Sequence, residues 1–168
     1  MTFFKDLVPH RMLFKVNQNI DQSNIQDATE TLVLLVETYP NFAPAYNVLG
    51  FLYANAFNDP MQSLPCYRKA LELDSQYAPT YFNLLVALNA TGNLNQVPEI
   101  AQKAMALKGI DLGKIFYCLG MMHELKNEFE LAKAQFQKAM YNSVLDSEIA
   151  QYRAAYQRCD LKHSLAFQ

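Results

Sequence analysis

One short pattern occurs three times in this chain, and its copies are 35 residues apart. Each copy begins with an aromatic residue, Tyr46, Tyr81 or Phe116, and has a leucine three residues later. Self-similarity with a period of about 20–50 residues indicates a solenoid or array, in which a unit buries its apolar face only by stacking on its neighbours. The repeat therefore limits the possible folds more than any other feature.

The composition of the chain indicates which kinds of partner and which cellular compartment to expect. The 168 residues are about one domain's length, and a net charge of −2 offers no basic excess for phosphates. We therefore expect neither nucleic acid nor an anionic membrane as a partner. No stretch approaches the about 20 apolar residues of a membrane span, and charges interrupt the first 16 residues, unlike a signal peptide. Cys66, Cys118 and Cys159 are odd in number and widely spaced, so we interpret them as buried free thiols of a cytoplasmic protein.

Apolar residues recur at helical spacing along the whole chain, and no strand pattern appears. We predict helices over residues 9–17, 24–38, 43–57, 60–73, 78–91, 97–108, 112–126 and 129–141, with a last amphipathic helix from Asp146 that frays after Asp160. An apolar arm or short helical turn, including Phe3 and Phe4, precedes the first helix. This N-terminal segment is interpreted as an end cap of the array, or alternatively as a segment that docks on a partner or another copy.

Several residues predict helix ends. Ser23 with Gln26 fits a capping box. Asp59 is a candidate N-cap with Pro60 at the first helical position. Either this helix begins at Pro60 and kinks at Pro65, or it starts late and is capped by Ser63. Gly92 should close its helix in the left-handed conformation. Asp111 should cap the helix that follows it.

The repeats resemble tetratricopeptide repeats. In that family an aromatic residue is followed by leucine and glycine in the first helix, and the second helix carries alanines around an aromatic. The first repeat matches with Tyr46, Leu49, Gly50, Tyr53, Tyr67 and Ala70. The third matches with Phe116, Leu119, Gly120, Ala132, Phe136 and Ala139. In the middle repeat Leu85 replaces the glycine and Ala101 the aromatic residue, so we expect a local irregularity there.

The resemblance implies an all-α fold, a right-handed α-α superhelix or solenoid of antiparallel helix pairs. It divides a single domain, 1–168, into a degenerate leading pair (1–42), three repeats (43–77, 78–112 and 113–145) and a C-terminal capping helix (146–162). In this family the first helix of each pair lines a concave groove that binds peptides. The candidate lining here is Asn47, Phe51, Asn55, Phe82, Asn83, Val86, Asn89, Lys114, Tyr117, Met121, Glu124 and Leu125.

This lining is more apolar than a water-facing surface should be, and it carries amides that suit a peptide backbone. The alternative is that a terminal arm of the chain, or a second copy, covers these residues. The carboxylate clamp of family members that bind chaperone tails is incomplete. Asn83 and Lys114 fit its slots, whereas Asn47, Phe51 and Cys118 do not. A nonpolar or mixed segment is therefore the better ligand.

Nothing in the sequence indicates catalysis. His123 and Glu124 resemble the opening of a metalloprotease helix motif, but Asn127 stands where the second histidine is needed. We expect no enzyme activity, no cofactor and no metal. The predicted function is a non-catalytic adaptor, scaffold or chaperone-like module that binds a peptide or helix of another protein. The alternative is a structural subunit whose groove or caps form a homo-oligomer interface.

Overall fold

The computed structural model describes residues 7–166, except for the side chain of Ala166. Over that range the chain forms nine α-helices and no strand, as the sequence predicts. They are α1 (Leu7–Asp21), α2 (Ile25–Thr38), α3 (Ala43–Phe51), α4 (Pro60–Leu73), α5 (Ala78–Ala90), α6 (Val97–Met105), α7 (Leu112–Leu125), α8 (Phe129–Tyr141) and α9 (Asp146–Ala166). A π-helical turn, Leu52–Ala56, extends α3, and a 3-10 turn, Leu94–Gln96, precedes α6. None of the helices in the described range is long and apolar enough to cross a membrane.

Two compact units make up the chain, Met1–Ala87 and Leu88–Gln168. In the first unit α1 packs on α2, α2 on α3, and α3 on α4. Apolar side chains from three consecutive helices form one buried core cluster of this unit, made of Val16, Ala28, Leu32, Leu35, Ala45 and the π-turn residue Leu52. The leading pair is thus built into the core of the first unit.

In the second unit α6 packs on α7, α7 on α8, and α8 on α9. Its described core cluster joins Ala132 and Phe136 of α8 to Ala155 and Cys159 of α9. Cys118 and Cys159 are buried free thiols, as predicted, and burial raises the pKa of Cys118 to about 12 and that of Cys159 to about 11. Cys66, in the first unit, is only half-buried.

An aromatic ring packs against a glycine in each of the two well-matched repeats. A Cβ atom added to Gly50 would lie 2.6 Å from Cε1 of Tyr67, and one added to Gly120 would lie 2.5 Å from Cε1 of Phe136. Both distances are shorter than van der Waals contact, so only glycine lets the second helix approach this closely. Tyr67 and Phe136 are almost fully buried by this packing. The glycine and aromatic positions of the repeat are therefore a matched pair across the helix interface.

Most of the predicted helix ends are confirmed. Asp59 accepts a hydrogen bond from the backbone N–H of Gln62 at 3.1 Å, and α4 begins at Pro60 rather than late at Ser63. Asp111 caps α7 in the same way through the N–H of Lys114, also at 3.1 Å. Gly92 follows α5 with φ of +71°, the left-handed conformation that glycine adopts without steric cost.

The predicted ends of three helices were wrong. Ser23 does not open a capping box, because it adopts φ of +61° and Asn24 is the N-cap, without a side-chain hydrogen bond. The first helix runs from Leu7 to Asp21 rather than from 9 to 17, and Ile20 in the added turn packs on the core. The last helix continues to Ala166, and in its final turns Lys162 pairs with Glu124 at 2.7 Å and His163 lies 2.7 Å from Glu130.

Two further differences concern single turns. Helix α6, which has Pro98 in its first turn, ends at Met105 instead of at residue 108. The sequence also does not predict the π turn at the end of α3. The apolar arm with Phe3 and Phe4 lies outside the described residues.

Gly120→Ala should destabilise the protein by about 1–3 kcal/mol, because the new methyl group overlaps the ring of Phe136. Denaturant unfolding followed by circular dichroism measures the loss. Phe136→Leu alone should also destabilise, by leaving a cavity. If the packing is as described, the double variant will be more stable than the sum of the two single losses predicts. An unchanged unfolding midpoint for Gly120→Ala would contradict the close approach.

Candidate functional site

A pocket of about 320 Å³ lies in the first unit, between residues of α1, α3 and α5. Its walls combine aliphatic, aromatic and amide side chains. The lining residues are Leu13, Asn17, Ile20, Asp21, Asn47, Val48, Phe51, Tyr77 and Asn83. We call it the amide pocket, because α1, α3 and α5 each contribute one asparagine. A mostly apolar pocket with a few polar groups is the usual form of a ligand site.

Two of the three asparagines are bonded to each other. The Nδ2 group of Asn83 donates a hydrogen bond of 3.0 Å to Oδ1 of Asn47. Asn47 is only 7% exposed, so this bond satisfies a carbonyl oxygen that is largely removed from water. The bond also orients both amides, leaving the Nδ2 group of Asn47 and Oδ1 of Asn83 as one donor and one acceptor. A donor and an acceptor side by side match the pattern of a peptide backbone.

Phe51 provides the apolar surface at the pocket. It is 39% exposed at the last position of α3, immediately before the π turn. Asn55, another predicted site residue, donates from Nδ2 to the backbone carbonyl of Phe51 at 3.0 Å, so its amide supports this turn. π turns occur frequently at functional sites, because the extra residue changes the direction of the following side chains. Of the other predicted residues in this unit, Phe82 is half-buried and Val86 is exposed, and neither lines the amide pocket.

In the second unit, α9 contacts much of the predicted lining of α7. Nζ of Lys114 lies 3.4 Å from the carboxylate of Glu148, and the ring of Tyr117 stacks on that of Tyr152 at 5.0 Å between centroids. The hydroxyl oxygen of Tyr117 also accepts a hydrogen bond from Gln151. Met121 packs on the core cluster that includes residues of α8 and α9. These side chains are therefore occupied by the chain's own last helix.

Glu124 is the charged centre of the contact between α7 and α9. Its side chain is 8% exposed, and both carboxylate oxygens accept hydrogen bonds from Arg158, at 2.7 and 2.6 Å. Lys162 donates a third bond, of 2.7 Å. The bonds from Arg158, followed by those from Lys162, outweigh burial and lower the pKa of Glu124 to about 2. A buried carboxylate with two cations and three hydrogen bonds holds α9 against α7.

The remaining predicted residues of this unit are placed differently. Asn89 is buried, and its Nδ2 donates to the backbone carbonyl of Cys118 at 3.0 Å, while Leu125 is exposed. His123, which the sequence compared with a metal motif, lies 2.5 Å from a carboxylate oxygen of Glu128. Within residues 7–166, histidine, cysteine and acidic side chains form no group of three arranged as metal ligands. The predicted groove as a whole stays a prediction.

Sequence reasoning missed the contribution of α1 and of the loop before α5. Leu13, Asn17, Ile20, Asp21 and Tyr77 line the amide pocket but lie outside the repeat signature. The leading pair carries no aromatic-leucine-glycine pattern. Its residues could therefore not be aligned with the repeat to predict which of them face inward. A signal for α9 was present, however. Tyr152 and Ala155 follow Tyr117 and Gly120 by 35 residues, the repeat period, so α9 resembles the first helix of one more repeat.

The charge on Glu124 should make the stability of the second unit depend on pH. The pKa of a glutamate in an unfolded chain is about 4.3, whereas that of Glu124 in the folded protein is about 2. Because the folded pKa is the lower one, the stabilisation is fully present above the unfolded value and is lost as the pH falls towards 2. At pH 7 Glu124→Gln should cost about 1–3 kcal/mol, limited by the half-exposed Arg158 and Lys162.

Urea unfolding at a series of pH values measures this difference. We expect the gap between wild type and Glu124→Gln to close between about pH 4.3 and pH 2. The control is Glu99→Gln, which removes a carboxylate from an exposed pair with Lys103 and should change stability by less than about 0.5 kcal/mol. A gap that does not depend on pH would contradict the ion-pair assignment.

Comparison with solved structures identifies the fold. A thermophilic tetratricopeptide-repeat protein of Thermus thermophilus aligns over 88% of this chain and 80% of its own, with 20% identity and a TM-score of 0.70. MamA of Desulfovibrio magneticus aligns over 93% of this chain and 85% of its own, with 13% identity and a TM-score of 0.76. PilF of Pseudomonas aeruginosa aligns over 92% and 77%, with 17% identity and a TM-score of 0.75.

Sequence comparison is less extensive. No protein-family model matches the chain. Superkiller protein 3 of Saccharomyces cerevisiae is 32% identical over 54 residues, which are 32% of this chain and 4% of that protein. The chain therefore spans only a small fraction of the curated relative that it matches. Together with the helix pairs described above, the solved structures confirm the predicted fold class: this chain has the all-α solenoid fold of tetratricopeptide-repeat proteins.

Proposed function

We propose that this chain is a non-catalytic protein-interaction module that binds a peptide segment of another protein in the amide pocket of its first unit. The main supporting observation is the pair Asn47 and Asn83, a nearly buried donor and acceptor beside the exposed ring of Phe51. Amides of this kind bind a peptide backbone without regard to its sequence, and the ring adds apolar contact. An adaptor, scaffold or chaperone-like role in the cytoplasm is the corresponding cellular function.

The second unit has a different role in this proposal. Four of the predicted lining residues contribute to the interface with α9 or to the core beside it: Lys114, Tyr117, Met121 and Glu124. They therefore form the surface on which the capping helix packs. Solenoids need such caps because the last repeat otherwise exposes its stacking surface. Leu125 is the exposed apolar residue on α7 that stays available to a ligand. Peptide binding is therefore assigned first to the first unit.

Selection from a phage-displayed library of random peptides tests this function. Peptides enriched on the wild-type protein should bind Phe51→Asp at least about tenfold more weakly, because the variant replaces an apolar contact by a charge. The matched control is Leu34→Asp, which places the same charge on an exposed apolar site of α2, away from the pocket. Peptides that bind both variants as tightly as wild type would place the interaction elsewhere.

A second candidate function is self-assembly, which an apolar surface on the second unit favours. Tyr141 and Val144, at the connection from α8 to α9, are 91% and 93% exposed, and Leu145 is also exposed. Val144 and Leu145 line a neighbouring pocket of about 270 Å³. Exposed apolar residues in one place are characteristic of protein–protein contacts.

Sedimentation over a wide range of protein concentration distinguishes the two candidates. The peptide-binding function predicts a monomer that still binds the selected peptides. Self-assembly predicts a dimer that is lost in Val144→Asp and kept in Leu131→Asp, a control at an exposed leucine of α8.

A further inference from the structure

Asp21 gives the amide pocket a negative charge. Of the described residues that line the pocket, Asp21 is an acid, and none is a lysine or arginine. Lysines and arginines elsewhere on α1, such as Arg11 and Lys15, are absent from the lining. The remaining walls are amide, aliphatic or aromatic. A ligand that enters the pocket therefore meets one carboxylate, and no lysine or arginine of the described lining balances it.

The negative charge of Asp21 lies at the carboxyl end of α1. Asp21 is the last residue of α1, whose final turn contains no basic residue. The carboxyl end of a helix carries a partial negative charge, so an acid is disfavoured there and a cation is favoured. Among the described residues, no ion pair involves Asp21, although in the second unit Glu124 pairs with both Arg158 and Lys162, and Glu148 pairs with Lys114. A bound cation would be attracted both by the carboxylate and by the end of the helix.

The net charges of the two units also differ, and the unit that contains the amide pocket is the more negative one. Residues 1–87 contain eight acidic and five basic side chains, a formal charge of −3. Residues 88–168 contain eight acidic and nine basic side chains, a charge of +1. The pocket thus lies in the part of the chain whose overall field attracts cations.

The other walls suit a long basic side chain attached to a peptide. Phe51 and Tyr77 present aromatic rings, which attract a cation placed over their faces. Asn47, nine-tenths buried, and Asn83 have one donor and one acceptor left for the backbone on either side of that residue. The volume of about 320 Å³ lies at the lower end of the range for ligand pockets, as a site for one side chain and its flanking backbone should.

We propose that the amide pocket selects peptide segments that carry an arginine or lysine, with Asp21 as the counter-ion of that side chain and Asn47 and Asn83 as the backbone contacts. This specificity rests on the peptide-binding function proposed above. It is opposite in charge to the capture of an acidic tail. The partner is accordingly a protein with an exposed basic, otherwise apolar segment.

Three synthetic heptapeptides test the proposal. They have the sequence acetyl-Ala-Leu-Ala-X-Ala-Leu-Ala-amide, in which X is arginine, glutamine or glutamate. Binding is followed by titration of ¹⁵N-labelled full-length protein, with the side-chain amide resonances of Asn47 and Asn83 as local reporters. The arginine peptide should bind about fivefold more tightly than the glutamine peptide, the size expected of a partly solvated ion pair, and the glutamate peptide more weakly still.

The variant Asp21→Asn should abolish the preference for arginine, so that the arginine and glutamine peptides bind it with equal affinity. High salt should reduce the preference in the wild type, since the pair is close to solvent. The matched control is Asp27→Asn, which removes an exposed carboxylate from the first turn of α2 and should keep the preference. Amide resonances of the backbone report that both variants remain folded.

The outcomes separate this proposal from the one on which it rests. If the arginine and glutamine peptides shift the resonances of Asn47 and Asn83 with equal affinity, the basic specificity is overturned and peptide binding stands. If Asp21→Asn keeps the arginine preference, Asp21 is not the counter-ion and the proposal fails. If none of the three peptides shifts these resonances, both proposals fail.

Discussion

The contact between a glycine on the first helix of a pair and an aromatic ring on the second determines what each first helix presents elsewhere. Because Gly50 faces Tyr67 at a distance that no Cβ atom would allow, α3 has one face that must lie against α4. Asn47 and Phe51, three residues before and one after Gly50, then lie on adjoining faces, where they reach the amide pocket. Gly120 and Phe136 impose the same orientation on α7. The candidate binding surface is thus a consequence of how closely two helices pack.

The inner side of the repeat makes different contacts in the two units. In the first, the inner residues of α3 and α5 are joined by one hydrogen bond between amides and leave a pocket open beside them. In the second, the corresponding side of α7 carries a glutamate that is satisfied by two cations from α9. Removing α9 would take both cations from that carboxylate and would also uncover the ring of Tyr117, which stacks on Tyr152. In the second unit these residues therefore pack against the chain's own last helix, which supports our proposal that a separate ligand binds to the first unit.

Local chemistry accounts for the parts of the fold that the sequence predicts well. The 35-residue period, the prolines at helix starts, and caps such as Asp59 and Asp111 depend on residues close together in the chain. The errors have non-local causes. Ile20 extends α1 beyond its predicted end because it packs on the core cluster, and Lys162 in the added turns of α9 pairs with Glu124 of α7. Serine is a residue type favoured at helix N-caps, but in the turn between α1 and α2 the backbone of Ser23 adopts the left-handed conformation.

The sequence by itself determined the fold class, the position of the repeats and the small residues at which paired helices meet, because periodicity and side-chain size act within a short stretch of chain. The resemblance to tetratricopeptide repeats predicted Asn47, Phe51 and Asn83 as lining residues, and all three line the amide pocket. Only the tertiary structure decided that Asp21 and Tyr77 join them, and that α9 engages Lys114, Tyr117 and Glu124. These contacts link helices that are distant in sequence, so no spacing rule within one repeat contains them.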